Sequence, residues 1–351
     1  MNENSRIKTL DSFRFISITL VIFFHYISRW TTPIFDGNYY PYGAKFAELP
    51  VFRNGDLGVP FFFIISGFVI LFTLERTKSI SDFFIRRFVR LWPTMLLCSL
   101  FTFIVVRSLN AGSAFPEFDV SLKSFLPSLT FTPPRFWDVQ YVDGVYWSLE
   151  IEVKFYIISA IVYFLSKKYF SLVWTIYCLT LLGVFLTFNS YLDNNTLFDY
   201  FFYPRHLHFF ASGILFYELF KGRKEIWIWV ALILFFLYAI YVKDVFYERV
   251  FISVYFSLFF IFIYKNAWLE WMNRPWILMI GVSSYPLYLL HQNVGVLMIH
   301  QLHHLLGFRF DAQIFYPLIA YVFFCIFSYY VYRLYEMPLK KLLMNLFYPK
   351  K

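Results

Sequence analysis

Residues 10–25 read LDSFRFISITLVIFFH. The stretch is mostly apolar, yet Asp11 and Arg14 stand near its start and His25 at its end. An α-helix needs about 20 mostly apolar residues to cross a bilayer core, and the run from about 10 to 30 supplies them. Further runs of that kind lie near 57–75, 91–109, 145–165, 169–188, 201–220, 225–242, 247–264, 276–298 and 313–335. The segments between them are short. The pattern predicts an all-α fold, a polytopic transmembrane helical bundle of about ten spans, as one integral-membrane domain over residues 1–351.

Composition points the same way. The 351 residues are 60% hydrophobic, 25% aromatic and 15% charged, where soluble domains carry about 45–50% apolar and about 25% charged residues. A mean hydropathy of +0.58 leaves no room for a large soluble domain. The net charge of +9 would suggest nucleic acid in a soluble chain. Here the basic residues cluster in short segments between apolar runs, so orientation in the bilayer accounts for them and no nucleic-acid partner is expected. Cys98, Cys178 and Cys325 fall inside apolar runs and show neither a disulfide framework nor metal-ligand spacing. The first run lacks a small-residue cleavage site and is read as a retained span.

With the N-terminus inside, the inner segments hold Arg6 and Lys8, the Arg76–Arg90 group, Lys167 and Lys168, and Lys221, Arg223 and Lys224. Lys265, Arg274, Arg333 and the tail from Lys340 complete the set. This orientation places roughly 19 basic residues inside against roughly 9 outside, as the positive-inside rule requires. It predicts cytoplasmic N- and C-termini and an external segment near Asn194.

Charges inside spans are costly and therefore informative. Arg14 and His25 are eleven residues apart, close to three helical turns, so they share a face about 16 Å apart along the axis. Asp11 lies one turn before Arg14 and is placed to pair with it. The plain alternative is a snorkelling arginine and an interfacial histidine. Next, GDLGVPFFFIISGFVI, residues 55–70, has Pro60 in its first turn and Ser66-Gly67 interrupting bulky residues. Small residues admit a ligand or another helix backbone.

SDFFIRRFVRLWP follows. A helix would present Arg86, Arg87 and Arg90 together, suited to phosphate by their planar donors or to anionic lipid headgroups. In YWSLEIEVKFY, Glu150 and Lys154 are four apart and form a plausible ion pair. Glu152 lies about 200° around from both, with Ser148 one turn before it on its side; it is either a functional acid or a buried structural one.

Arg205 and His208 open the sixth run, YPRHLHFFASG. Its alternating histidines, His206 and His208, cannot share a helical face to bind zinc. In SSYPLYLLHQN, Ser284, Tyr288 and His291 line one face. His300, His303 and His304 are read as lying in the loop after that span, and no metal is expected. Together these residues predict a polar path with a basic inner mouth (Arg14, the Arg86–Arg90 cluster, Glu336) and an outer chamber (His25, Glu152, Arg205, His208, His291). Tyr146 and Trp147 near that chamber are aromatic surfaces suited to a sugar ring.

Six stretches in order resemble the membrane acyltransferase-3 family of bacterial integral-membrane O-acyltransferases. The first span is similar to its LDxxR…H pattern. GDLGVPFFFIISGF, RRFVRLWP, YWSLEIEVKFY, SYPLYLLHQ and the closing YEMP are similar to its later segments. The matches run from residue 10 to residue 338. The resemblance implies transfer of an acyl group, usually acetyl, from cytoplasmic acyl-CoA. The acceptor it implies is a hydroxyl of a surface polysaccharide or lipid-linked glycan at the outer side of the bacterial cytoplasmic membrane.

By the same resemblance His25 is the catalytic residue, Glu152 is an acceptor-side or catalytic acid, and Arg14 and the Arg87/Arg90 pair bind the donor. The predicted site adds Arg86 and Ser66 to this acyl-CoA-binding set. Trp147, Ser148, Arg205, His208, Tyr288 and His291 face the acceptor, and Asp11 and Glu336 are structural. Acetyl-CoA enters as co-substrate, with no permanently bound cofactor, and membrane lipids are partners. Two positions depart from the family: His208 stands where an acid often accompanies the sixth-span arginine, and Val153 follows Glu152 where a second acid is common. His25 acts as general base or as covalent acyl carrier. The competing function is a transporter or flippase of lipid-linked glycans, which would also need a charged path.

Overall fold

The computed structural model describes residues 7–30, 46–110, 115, 118–188, 204–306 and 314–348, apart from the side chains of Pro204 and His304. Arg6, the last residues of the basic tail and the segment near Asn194 lie outside the described residues. Every regular element among those described is helical.

Besides two short α-helices, Pro50–Arg53 and Phe125–Thr130, and several 3-10 turns, the elements in chain order are α1 (Lys8–Phe23), continued by a π-helical turn (Phe24–Arg29), α2 (Gly58–Leu74), α3 (Ile80–Leu109) and α4 (Trp147–Leu165). Then come α5 (Phe170–Thr187), α6 (Pro204–Phe220), α7 (Ile226–Tyr241), α8 (Phe246–Tyr264), α9 (Pro275–Val282), α10 (Ser284–Leu290) and α11 (Asn293–Leu306). The last are α12 (Phe315–Tyr330), a second π-helical turn (Val331–Glu336) and α13 (Met337–Phe347).

Within the described residues the predicted apolar runs fall on helix, and six helical segments are long and apolar enough to span a bilayer. These are Lys8–Arg29, Gly55–Leu74, Ile80–Leu109, Lys167–Thr187, Phe246–Tyr264 and Phe315–Phe347. α4 is unbroken but carries three charges, Glu150, Glu152 and Lys154, α6 has only 17 residues, and α7 is apolar but short. Length and composition therefore carry a multi-pass helical membrane protein with six such spans, while the figure of about ten rests on the sequence pattern.

Two local readings are corrected. The run at 276–298 is not one helix but three, α9, α10 and α11, with breaks at Ser283 and at His291–Gln292. Pro286 explains the first break. It has no N–H to return to the preceding turn, a loss without cost only in the first turn of a new helix, where such donors are unsatisfied anyway. In consequence His300 and His303 lie on α11 rather than in a loop.

The chain divides into two units. The first draws on residues 1–13, 59–84 and 151–273. With no hydrophobic driving force between helices in lipid, packing itself must hold them together, and aromatic rings do much of it. Phe61 stacks on Tyr255 at 4.3 Å, Phe155 on Phe210 at 4.1 Å and Phe216 on Phe259 at 4.9 Å. Such pairs contribute about 0.5–1.5 kcal/mol each beyond their buried area.

Gly67 of α2 and Gly213 of α6 form a reciprocal crossing. A Cβ at Gly67 would lie 2.1 Å from the Phe210 carbonyl oxygen, and one at Gly213 would lie 2.1 Å from that of Ile64. The glycine of the ISGF stretch is thus spent on helix packing. α6 ends at a left-handed Gly222 (φ 86°), with Gly222 N–H donating to Leu219 and Arg223 N–H to Glu218, a Schellman closure.

The second unit draws on residues 14–58, 85–150 and 274–351. Its α3 runs through Pro93 without ending. Tyr285 donates to the Leu91 carbonyl at 2.9 Å, Tyr335 to the Pro93 carbonyl at 3.3 Å, and Trp92 Nε1 to the Leu129 carbonyl at 3.3 Å. Two backbone acceptors and one side-chain donor beside the proline are thereby tied to the rest of the unit.

Candidate active site

Two polar centres stand out, one in each unit. In the second unit His25 is the second residue of the π-helical turn. π turns are rare and often mark functional positions. Its Nδ1 lies 2.9 Å from the Val21 carbonyl oxygen and 3.1 Å from His291 Nε2. His291 is fully buried, and its Nδ1 lies 2.8 Å from the Tyr288 carbonyl oxygen.

These distances assign the tautomers. A carbonyl oxygen only accepts, so each Nδ1 facing one carries the proton. His291 Nε2 is then an acceptor and shares the His25 Nδ1–H with Val21. The same assignment leaves a lone pair on His25 Nε2, which makes no hydrogen bond among the described residues. His25 itself is only partly buried.

The pair continues into a buried network. Tyr288 hydroxyl and Ser148 Oγ are 2.8 Å apart, and both donate toward the Val145 carbonyl, at 3.2 and 3.1 Å. The turn before α4 is fastened to the break after α10. Asp143, wholly buried, accepts from the backbone N–H of Asn293 at 3.0 Å and of Val145 at 3.2 Å. Asn293 Nδ2 returns a bond to the Val142 carbonyl at 3.2 Å. Burial pushes the Asp143 carboxyl up to about 7, against the two N–H donors that pull it down. Tyr141 donates to Glu150 close by.

Of the predicted site residues, the structure therefore brings His25, His291, Tyr288 and Ser148 together. Trp147, on the same turn, is 39% exposed. Arg87 is buried, Arg14, Arg86 and Arg90 are partly buried, and the Arg86 guanidinium lies 5.3 Å over the Tyr348 ring. Glu336 closes the second π-helical turn.

In the first unit Glu152 is the centre. Its Oε1 accepts from Ser66 Oγ at 2.6 Å and from the Tyr156 hydroxyl one turn along α4. Ser66, read from sequence as donor-binding, is thus a partner of this acid. His208 is buried completely between Phe209 and Tyr238, with ring centroids at 4.0 and 4.8 Å. Arg205 is exposed, 5.7 Å over Phe185, and Asp11 is buried. Among the described residues no group of three or more His, Cys, Asp or Glu is arranged to hold a metal.

Asp143, Asn293 and Tyr156 escaped the sequence reading. Tyr156 had a signal, its i+4 spacing from Glu152. Asp143-Gly144 is a turn dipeptide, but its partner lies 150 residues away.

Comparison with known proteins bears on this arrangement. The family profile described as an acyltransferase domain (acyltransferase-3) matches residues 7–333. A protein of Acidianus two-tailed virus named "Putative acetyltransferase ORF330" is 26% identical over 228 residues, which cover 64% of this chain and 61% of that relative. The chain thus matches about three fifths of that relative's length. No solved structure matches.

Proposed function

Because the chain belongs to the membrane acyltransferase-3 family, we propose that it transfers an acyl group, acetyl foremost, from acyl-CoA to a glycan hydroxyl. The donor enters from the cytoplasm. The acceptor is a surface polysaccharide or lipid-linked glycan at the outer side of a bacterial cytoplasmic membrane. The observation that carries this reading is the His25 imidazole, whose Nδ1–H is committed to Val21 and whose Nε2 keeps its lone pair.

Transfer from a thioester to a hydroxyl needs a base of this kind. Nε2 takes the hydroxyl proton as the oxygen attacks the thioester carbonyl. The C–O bond forms, the C–S bond breaks, and the departing CoA thiolate takes the proton from Nε2. A covalent acyl-imidazole route would use the same lone pair.

Arg14, Arg86, Arg87 and Arg90 are assigned to the donor's phosphates, which guanidinium groups bind through paired N–H donors. Glu152, held by Ser66 and Tyr156, is assigned to the acceptor side, as are Ser148, Tyr288 and the aromatic face of Trp147.

The test is transfer of labelled acetyl from acetyl-CoA to a lipid-linked glycan fraction by detergent-purified protein. Wild type is expected to transfer, and His25→Ala to lose about 10²- to 10⁴-fold in rate, the range for a positioned base, while still binding acetyl-CoA. Near wild-type turnover by the folded variant would overturn the assignment.

A further inference from the structure

A cavity of about 400 Å³ lies in the first unit, and none of the residues assigned to the reaction lines it. Its walls come from the end of α2, the end of α4, the turn Lys167–Tyr169, the start of α5 and the Gly222 turn after α6. The Schellman closure at Gly222 fixes the direction of Lys221 and Arg223, both of which line it.

The charges of this cavity do not cancel. Glu75 is satisfied by Lys221 at 3.1 Å and by the Tyr217 hydroxyl at 2.7 Å. Glu218 is satisfied by Arg223 at 3.2 Å and by Ser171. Each carboxylate thus holds one cation and one hydroxyl. Lys167 and Lys168 remain, and among the described residues neither has a carboxylate partner. Their ammonium groups lie over tyrosine faces, Lys167 at 5.6 Å from the Tyr163 ring and Lys168 at 5.2 Å from that of Tyr169. The lining itself carries two positive charges in excess, one of them offset by Glu225, which meets Arg223 from outside the lining at 2.7 Å, and it stands beside buried apolar surface from Leu71, Tyr163 and Phe170.

Its depth is also defined. The bilayer-length segment Gly55–Leu74 ends at the cavity, and the segment Lys167–Thr187 begins there. A cavity at the ends of two such spans lies at headgroup level, and basic pockets between membrane helices hold phosphate headgroups. We propose that this cavity binds phosphate-bearing anions through Lys167 and Lys168. The phosphates of an anionic lipid headgroup and those of a soluble diphosphate share that chemistry. The inference does not rest on the acyl-transfer reading.

The experiment has two arms, each comparing wild type, Lys167→Ala/Lys168→Ala and a control, Arg107→Ala/Lys123→Ala, whose cations lie elsewhere. In the first, the proteins are reconstituted in nanodiscs of phosphatidylcholine with a minor fraction of cardiolipin, released into detergent, and examined for retained lipid by native mass spectrometry. In the second, delipidated protein is titrated with pyrophosphate at low salt and its thermal unfolding followed. Removing both lysines is expected to weaken the anion about 30-fold, with the control unchanged.

Retention of cardiolipin that is lost only in the cavity variant supports the site and makes a lipid its source. Stabilisation by pyrophosphate alone, lost in the same variant, supports the site with a soluble source. Equal behaviour of cavity variant and wild type in both arms overturns the proposal, as does an equal loss in the control. The Lys167→Glu/Lys168→Glu variant, which reverses the charge, must bind no more anion than the alanine pair; tighter binding also overturns it.

Discussion

The His25 centre and the Glu152 centre hold their titratable groups in opposite ways. Both imidazoles are fixed by backbone carbonyls, His25 by Val21 and His291 by Tyr288. A carbonyl on a helix does not rotate, so the tautomer and the free lone pair are set before any substrate arrives. Glu152 is instead held by two hydroxyls, those of Ser66 and Tyr156. Hydroxyl protons rotate to suit their neighbours, so this carboxylate can exchange a protein donor for a substrate donor with little rearrangement. One centre presents a fixed lone pair and the other an adaptable carboxylate.

The sharpest way to break that contrast is Glu152→Gln. The amide keeps one accepting oxygen but loses the charge, and transfer is expected to fall about 100-fold with acetyl-CoA binding retained, read by single-turnover transfer beside equilibrium binding. Ser66→Ala should cost far less, since Tyr156 still satisfies the carboxylate. Equal losses from the two variants would mean that the hydroxyls are as fixed as the carbonyls.

A smaller effect is expected from His291→Phe. The Val21 carbonyl still holds the His25 proton on Nδ1, but the ring loses its second restraint. Transfer should fall about tenfold, with a changed pH–rate profile, since precise positioning of a base contributes within the general-base range. An unchanged profile would reduce His291 to packing.

The smallest effect concerns Asp143, which fastens the turn before α4 to the break after α10. Its carboxyl is raised to about 7 by burial, so the folded state holds a proton that the unfolded state has released above about pH 4. The associated stability is present at acid pH and is lost as pH rises from about 4 to about 7. Asp143→Asn removes this titration. The Tm difference between wild type and variant should shift toward the variant over that window, and a constant difference would show that Asp143 does not titrate there.

The sequence made the helices legible because bilayer-length apolar runs leave few alternatives. The breaks at Ser283 and His291 were hidden within such a run, where hydropathy is blind to backbone continuity; Pro286 was the only local cue. Gly67 was visible as a small residue, but its partner Gly213 was not, since a crossing is a relation between distant segments. The same holds at the site. The shared face of Ser284, Tyr288 and His291 could be read from spacing, and Arg14 and His25 likewise. That His291 would meet His25, 266 residues away, and be wholly buried, had no local signal.

The π-helical turn at Phe24–Arg29 has a consequence for how this segment can change over generations. Such a turn accommodates one residue more than regular helix would, in the manner of an insertion tolerated and kept. Deleting a single residue there would heal the helix, and the healed helix would be the more regular structure. It would also swing the residues beyond the deletion by about 100° around the axis, carrying Tyr26 to Arg29 away from their present neighbours. Selection for sturdiness alone would therefore tend to erase this turn, and its persistence in a lineage would record selection for how His25 and the residues from Tyr26 to Arg29 are set relative to one another.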